Sequence, residues 1–434
     1  MRKINGLHAP HRKNTAGFKP EKIPVPEKTE ITLTMSGLAG RPAVSVVNVG
    51  DTVKVGQLIG EADGAVSSPV YASVSGTVKR IETLDNLTAK KAVSIIIEAD
   101  GKQELYENIT PPEIGGREDF IKAVQDSGVV GLGGAGYPTS HKLTIKDTVK
   151  LDYILINGAE CEPYITSDTR TMVDDADYVM EGALLMKKYL NPENIVICIE
   201  NNKPEAIRKM KEMCADLQGM EVRVLPSLYP QGERKVLVYN ITGRIVPEGA
   251  RLTDVGCIVI NCTTVAVLAE YIKTGMPMVS RCVTVDGSAV KNPKNVIAPL
   301  GMPIRELFNY CGGLKDDVKK IILGGPIMGQ AVPSLDMPVL KITNALLAFS
   351  EKDAKPPKES ACIRCGRCIS KCPMNLMPSY IEEAFELKKL DLLKKYKVSM
   401  CAECGCCAYL CPAKRPLAQV MALSKNMLWE ARNG

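Results

Sequence analysis

Eight of the sixteen cysteines fall between residues 362 and 411 in two copies of one spacing, Cys-x2-Cys-x2-Cys-x3-Cys-Pro. The first copy is Cys362, Cys365, Cys368, Cys372 and Pro373; the second is Cys401, Cys404, Cys407, Cys411 and Pro412. Each iron of a cubane cluster takes a thiolate, and three cysteines at two-residue intervals in a tight loop reach three corners of one cube. The fourth ligand must come from elsewhere. Zinc sites pair Cys-x2-Cys units and leave the third cysteine and the trailing Cys-Pro without a role. A disulfide framework would imply an oxidising compartment. The remaining cysteines, Cys161, Cys198, Cys214, Cys257, Cys262, Cys282, Cys311 and Cys406, are scattered without framework spacing, as in a reducing one.

A second chemical signal is Gly131-Leu132-Gly133-Gly134-Ala135-Gly136-Tyr137-Pro138-Thr139. It contains G-x-G-x-x-G, which marks a dinucleotide site only between a strand and a helix. Here residues Arg117 to Gln125 have helical spacing (Phe120, Ile121, Val124) and Gly128 follows as a C-cap would, so a helix feeds the loop. The loop reads either as a flexible connector or as a phosphate cradle, in which bare amides approach an anion and Lys142 neutralises it. A buried-looking strand, Leu151 to Ile156, then delivers Asn157-Gly158-Ala159-Glu160-Cys161-Glu162-Pro163. Two carboxylates two residues apart after a strand are expected to point the same way, toward whatever the glycine loop holds.

These motifs resemble known families. The cysteine sets resemble two-cluster ferredoxins, in which the cysteine before the proline ligates the other cluster. That resemblance assigns Cys362, Cys365, Cys368 and Cys411 to one [4Fe-4S] cluster, and Cys401, Cys404, Cys407 and Cys372 to the second. The glycine and carboxylate loops resemble the flavin-carrying, NADH-oxidising subunit of respiratory complex I. The resemblance implies Gly131, Gly133, Gly134, Gly136 and Lys142 at the FMN phosphate, Tyr137 for stacking, and Asn157 and Glu160 at the flavin. It also implies Glu162 at NADH, as the catalytic contact, and Asn261 at the flavin ring. Tyr229-Pro230-Gln231-Gly232-Glu233-Arg234 resembles that family's Tyr-x-x-Gly-Glu-Glu segment and adds Glu233 to the cofactor residues. Two positions depart from the pattern: Ala159 and Arg234 stand where the family is acidic. Cys161 replaces a small residue and is read as packing.

The elements around these motifs read as a multi-domain chain of α/β and α+β parts. With 434 residues, 45% of them hydrophobic, about three domains fit the length. Residues 1–30 form a basic, proline-dotted arm beginning Met1-Arg2-Lys3-Ile4, expected as a solvated tail or a strand on another subunit. Its His8 and His11 lack cysteine or carboxylate neighbours in the sequence, which favours a structural or docking role over a metal. Residues 31–110 alternate short β-branched runs with glycine and resemble the lipoyl/biotinyl hammerhead, a barrel-sandwich hybrid. The motifs are Val49-Gly50-Asp51-x-Val53-x-x-Gly56-Gln57, Asp63-Gly64-Ala65, Ser68-Pro69 and Ser75-Gly76-Thr77-Val78. Gly64 occupies the position of the modified lysine, so the unit is expected as a scaffold and not a carrier. Residues 111–276 alternate strand and helix patterns and are expected as the FMN- and NADH-binding α/β domain. Residues 277–345 are β-rich and resemble the soluble-ligand-binding β-grasp (SLBB) domain. A charged linker is expected over 346–360. A helical two-[4Fe-4S] ferredoxin domain then fills 361–434, with Arg364, Arg367 and Lys371 around the first cysteine loop as solvated charges or as a docking face.

Taken together, the hammerhead and the His8-x-Pro10-x-x-Lys13 arm make the chain similar to C subunits of Rnf ion-translocating oxidoreductases. The resemblance implies a peripheral subunit of a membrane-bound ferredoxin:NAD+ oxidoreductase, passing electrons between NAD(H), FMN and two [4Fe-4S] clusters. Its expected partners are the other subunits of that complex, a ferredoxin-like carrier and NAD(H). The resemblance also implies a peripheral place on the cytoplasmic face of the membrane; the most apolar stretch, Val255 to Ile272, is broken by Asn261, Thr263, Thr264 and Glu270 and does not read as a span. A net charge of +6, small and spread out, argues against nucleic acid. A soluble cobalamin reductase of the propanediol-utilisation type and a flavin-free electron relay stand as alternatives.

Overall fold

The computed structural model describes residues 5–37, 39–85, 91–146 and 148–433; the first four residues of the basic arm lie outside them. In the α/β part, the runs 153–158, 194–200, 220–225 and 257–261 are apolar along nearly their whole length, the pattern of strands covered on both faces. They form one parallel sheet ordered Met220–Leu225, Asn194–Glu200, Tyr153–Gly158, Cys257–Asn261. Helices Ala176–Leu190 and Cys262–Thr274 pack on each other, burying Val179, Met180, Ala183, Val265 and Leu268. The strand first in sequence, Tyr153–Gly158, pairs on one side with the second and on the other with the last. The carboxyl ends of those two edges, at Gly158 and Asn261, therefore diverge into a crevice, the place where such sheets bind ligands.

In front of it, the hammerhead splits into an antiparallel sheet ordered Glu30–Thr34, Lys91–Ala99, Gly76–Asp85, Thr52–Val53 and a smaller one of Val44–Ser45, Leu58–Glu61 and Val70–Tyr71. Ile31, Leu33, Val53, Val78, Ile95 and Ile97 alternate inward to fill it. Gly64 has φ +82 and open space around its absent side chain, as a hairpin tip should. Behind the α/β layer, six strands run in the order Glu21–Lys22, Lys294–Pro299, Ser280–Asp286, Ala345–Ser350, Val318–Leu323, Gln330–Ala331. The cysteine sets lie among short helices, of which Pro378–Glu386, Leu390–Lys395 and Leu417–Asn433 enclose Ile381, Leu393, Met421 and Leu428.

Two expectations change, and one helix was not foreseen. Residues 346–350 are no linker: Ala345–Ser350 is buried at every position and lies inside the six-stranded sheet between Ser280–Asp286 and Val318–Leu323. An apolar six-residue run of this kind gains more from burial than from solvation, whatever its charged sequel. The arm is neither a free tail nor a strand on another subunit. Glu21–Lys22 pairs with Lys294–Pro299, Thr15 is fully buried against Thr166, and Leu7 bridges to Tyr229. Finally, residues 167–174, unread in the sequence, form helix Ser167–Asp174; its mixed polar composition hid it, and all but two of its residues are buried by tertiary packing.

Candidate flavin and cluster sites

The glycine loop lies across the crevice at the end of the parallel sheet. Leu132 donates its N–H to Thr264 Oγ1 at 3.0 Å, and a Cβ on Gly133 would stand 3.4 Å from the Asn261 side chain. Within the loop Gly131 N–H bonds Tyr137 O at 2.8 Å and Gly136 N–H bonds Gly131 O at 3.1 Å. Gly134 has φ +124 and Gly136 φ +62, so this path requires glycine there. Nothing lies within 4 Å of where a Gly134 side chain would point. Buried Arg281 holds the loop from below, donating to Leu132 O, Thr343 O and Lys341 O, each at 2.8 Å. Burial lowers its pKa to about 10.

Lys142 stands beside this loop, its Nζ 3.5 Å from Val259 O and 3.6 Å from where a Gly131 Cβ would be. Burial, and then the Arg234 guanidinium, push its pKa down to about 8. A half-buried ammonium with another cation as its main charged neighbour suits an incoming anion. Tyr137 shares a 2.9 Å hydrogen bond with His141 Nδ1. Asn261 caps helix Cys262–Thr274 through Thr264 N–H at 3.2 Å and donates to Asp168 at 2.7 Å. Asp168 also accepts from Thr263 Oγ1 at 2.7 Å. Burial, and then Glu160, raise the Asp168 pKa to about 6.

The carboxylates of the second loop do not converge as the strand alternation suggested. The strand ends at Gly158, the chain turns at once, with Glu160 N–H on Gly158 O, and Tyr164 takes φ +70. Glu160 is buried and accepts from Asp168 N–H at 2.7 Å and Thr169 Oγ1 at 2.8 Å, capping helix Ser167–Asp174. Glu162, expected at NADH, accepts instead from Ile327 N–H at 3.1 Å and Met328 N–H at 2.8 Å. Both of its oxygens are committed to the β-grasp loop, and burial raises its pKa to about 7. Glu233 caps helix Arg234–Thr242 through the N–H groups of Lys235 and Val236, and Asn157 donates to Gly232 O at 2.9 Å. These four side chains hold the walls of the crevice together.

Sequence reasoning missed Lys13, Arg281, Asp168 and Gln231. Lys13 reaches in from the arm, donating to the carbonyls of Glu160, Glu162 and Ile165 at 2.8, 2.9 and 2.5 Å. Gln231 is fully buried with no hydrogen-bond partner on either amide atom, and Thr139 and Ser167 hydroxyls are likewise unpaired among the described residues. Two had a signal: Lys13, in the His8-x-Pro10-x-x-Lys13 arm, and Gln231, inside the Tyr229–Arg234 segment. The residues present fit FMN: a glycine cradle open at Gly134, an ammonium in want of an anion, and unpaired polar groups on the segments that form the crevice.

The eight spaced cysteines gather among the short helices near the C-terminus. Cys362, Cys365, Cys368 and Cys411 line one cavity, with Ser379 and Arg415 at its rim. Cys372 lies in one apolar cluster with Cys401 packed against it. Among the described residues no three His, Cys, Asp or Glu side chains close on a point suited to a single metal ion. Four thiols together are the donor set that a cubane takes.

Comparison with known proteins accords with this arrangement. Residues 2–102 match the family model of the RnfC barrel sandwich hybrid domain, 124–270 the Nuo51 FMN-binding domain, 282–331 the SLBB domain and 357–412 the 4Fe-4S dicluster domain. Among solved structures, an NAD+-reducing [NiFe]-hydrogenase in its air-oxidized state superposes with a TM-score of 0.51 and 16% identity, over 66% of this chain and 55% of that one. That likeness is one of fold. The C subunit of the proton-translocating ferredoxin:NAD(+) oxidoreductase complex of Clostridium ljungdahlii is 40% identical, over 87% of this chain and 82% of that protein. Its Na(+)-translocating counterpart from Acetobacterium woodii is 38% identical, over 87% and 86%. The C subunit of an ion-translocating oxidoreductase complex of Klebsiella pneumoniae is 38% identical, and this chain spans 50% of its length. At such identity over most of both chains in the first two pairs, the protein belongs to the family of C subunits of ion-translocating ferredoxin:NAD+ oxidoreductase complexes.

Proposed function

We propose that the protein is the peripheral NAD(H)-reacting subunit of a membrane-bound, ion-translocating ferredoxin:NAD+ oxidoreductase, docked on the cytoplasmic face through its partner subunits. FMN, when bound, exchanges a hydride with NAD(H) and single electrons with [4Fe-4S] clusters. The observation that carries the reading is the glycine loop with Lys142, set over the crevice between the strands ending at Gly158 and Asn261. In this role Gly131, Gly133, Gly134 and Gly136 present backbone amides to the cofactor phosphate, and Lys142 supplies the charge. Asn261, beside Gly133, stands on the ring side, and Tyr137 offers an aromatic face. Glu160, Glu162 and Glu233 act as braces: each carboxylate ties two backbone or hydroxyl donors of a neighbouring element. Cys362, Cys365, Cys368 and Cys411 hold one cluster, and Cys401, Cys404, Cys407 and Cys372 the other.

The test is Gly133→Val in protein reconstituted anaerobically with iron, sulfide and FMN. The branched side chain would stand against Asn261 and crowd the anion's approach to the loop, and removing each charge-assisted amide hydrogen bond weakens binding by roughly 1.5–3 kcal/mol. FMN should be lost while about eight irons remain, and NADH should no longer bleach the clusters. Equal bleaching by NADH in the variant, or about four irons in the parent protein, would sink this reading.

A further inference from the structure

Given the flavin-and-cluster reading, on which this rests, we propose that Tyr229 is a positioning residue, locked by Leu7 of the arm, that seats the Cys401–Cys407 loop against the flavin domain. The cluster of that loop is then the one that takes electrons from the flavin site, and the Cys362 cluster passes them on. Tyr229 lies two residues before the unpaired Gln231 and is 2% exposed. Its hydroxyl donates to the carbonyl of the ligand Cys404 at 2.7 Å. Its backbone is fixed by a two-bond bridge to Leu7, at 2.8 and 2.9 Å. Gly6 must be glycine for this approach, because a Cβ there would stand 2.4 Å from Tyr229 O.

Leu7, Tyr229, Cys404 and Cys406 form one buried apolar cluster, with Cys161 and Ile327 packed against it. Cys161 sits between Glu160 and Glu162, so side chains in contact run from the crevice wall to the second cysteine set. Burial pushes the Cys161 thiol up to about 12, in keeping with an apolar spacer. From the other side, Gly405, at φ +73, would carry a Cβ 3.0 Å from Ile327 Cγ2. That is the loop Glu162 holds. Ser399 bonds Glu248, and Lys235 Nζ lies 3.8 Å from Met400 Sδ, fastening the segment leading into Cys401. The Cys362 set is placed differently. Cys362 and Cys365 are exposed, Ile363 is 66% exposed, and Arg364, Arg367 and Lys371 stand in solvent.

A single-electron step slows steeply with gap length, so the seat of the ligand loop sets which cluster is filled first, and small displacements matter. The electron count closes without another reactant: NADH yields two electrons as hydride, each cluster takes one, and NAD+ and one proton are released.

Two measurements on the full reconstituted chain test this. Tyr229→Phe keeps the ring and removes the donor to the Cys404 carbonyl. In dithionite-reduced protein the EPR signal and midpoint potential of the Cys401 cluster should shift, with the Cys362 cluster and FMN content unchanged. Leu7→Ala, which loosens the same seat without touching the hydroxyl, should shift the same signal. Unchanged spectra and potentials in both variants overturn the positioning role. For the order, Cys372→Ser should remove the Cys401 cluster, so that NADH reduces the flavin but not the surviving cluster, which dithionite still reduces. Cys362→Ser should leave NADH able to reduce the Cys401 cluster. Reduction of the surviving cluster by NADH in Cys372→Ser overturns the order while leaving the proposed function standing. An unaltered protein whose bound flavin NADH cannot reduce overturns both.

Discussion

Single side chains set the chemistry of the crevice, and Lys142 is the one whose charge is conditional. Its pKa of about 8 lies below the ordinary 10.5 because burial and Arg234 disfavour the ammonium. A bound anion favours the ammonium, so the complex holds more protons than the free protein at pH above 8. Affinity for a flavin phosphate should therefore be flat from pH 7 to about 8 and then fall, by about tenfold per pH unit at most. Fluorescence titrations with FMN at several pH values check this. Lys142→Met should bind weakly at every pH and lose the fall. A fall that persists in Lys142→Met would assign the dependence to another group. Glu162 shows the same discipline from the other direction. Its carboxylate is held by the backbone amides of Ile327 and Met328, and its raised pKa reports burial where two domains meet.

At the scale of elements, the strand Ala345–Ser350 changes where the β-grasp domain ends. Leu347 is fully buried in it, between strands Ser280–Asp286 and Val318–Leu323. Leu347→Ala should cost about 2–5 kcal/mol, the range for deleting a core leucine side chain. A few residues on, the exposed Lys352→Ala should stay within about 0.5 kcal/mol. Denaturant unfolding followed by circular dichroism distinguishes these outcomes, and a neutral Leu347→Ala would restore the linker reading. The arm teaches a related lesson. A basic, proline-dotted stretch carries the composition of a solvated tail, yet Leu7 pairs with Tyr229, Lys13 and Thr15 with the 160–166 loop, and Glu21 with Lys294.

For the whole molecule the question is how it meets a membrane. Among the described residues no helix is long and apolar enough to cross one. Attachment by charged and polar faces to partner subunits predicts release by about 1 M salt without detergent, where the screening length falls to about 3 Å. Washed membranes assayed for the protein decide this. Retention until detergent is added would point to apolar insertion.

The sequence by itself determined the features that depend on local spacing. The two cysteine sets, the glycine loop, and the strands and most helices of the α/β layer were all legible, because thiolate reach, glycine geometry and hydrophobic period act over a few residues; the hammerhead tip at Gly64 came from family resemblance. Helix Ser167–Asp174 was not legible, since its burial comes from elements distant in the chain. Nor was the direction of Glu160 and Glu162: one backbone turn after Gly158 separates two side chains that alternation alone would align. Only the tertiary structure brought Lys13 under the 160–165 loop, Arg281 beneath Leu132, and Tyr229 onto Cys404. Each joins residues more than a hundred positions apart, and no periodicity or spacing in a chain encodes which distant carbonyl a buried donor will meet.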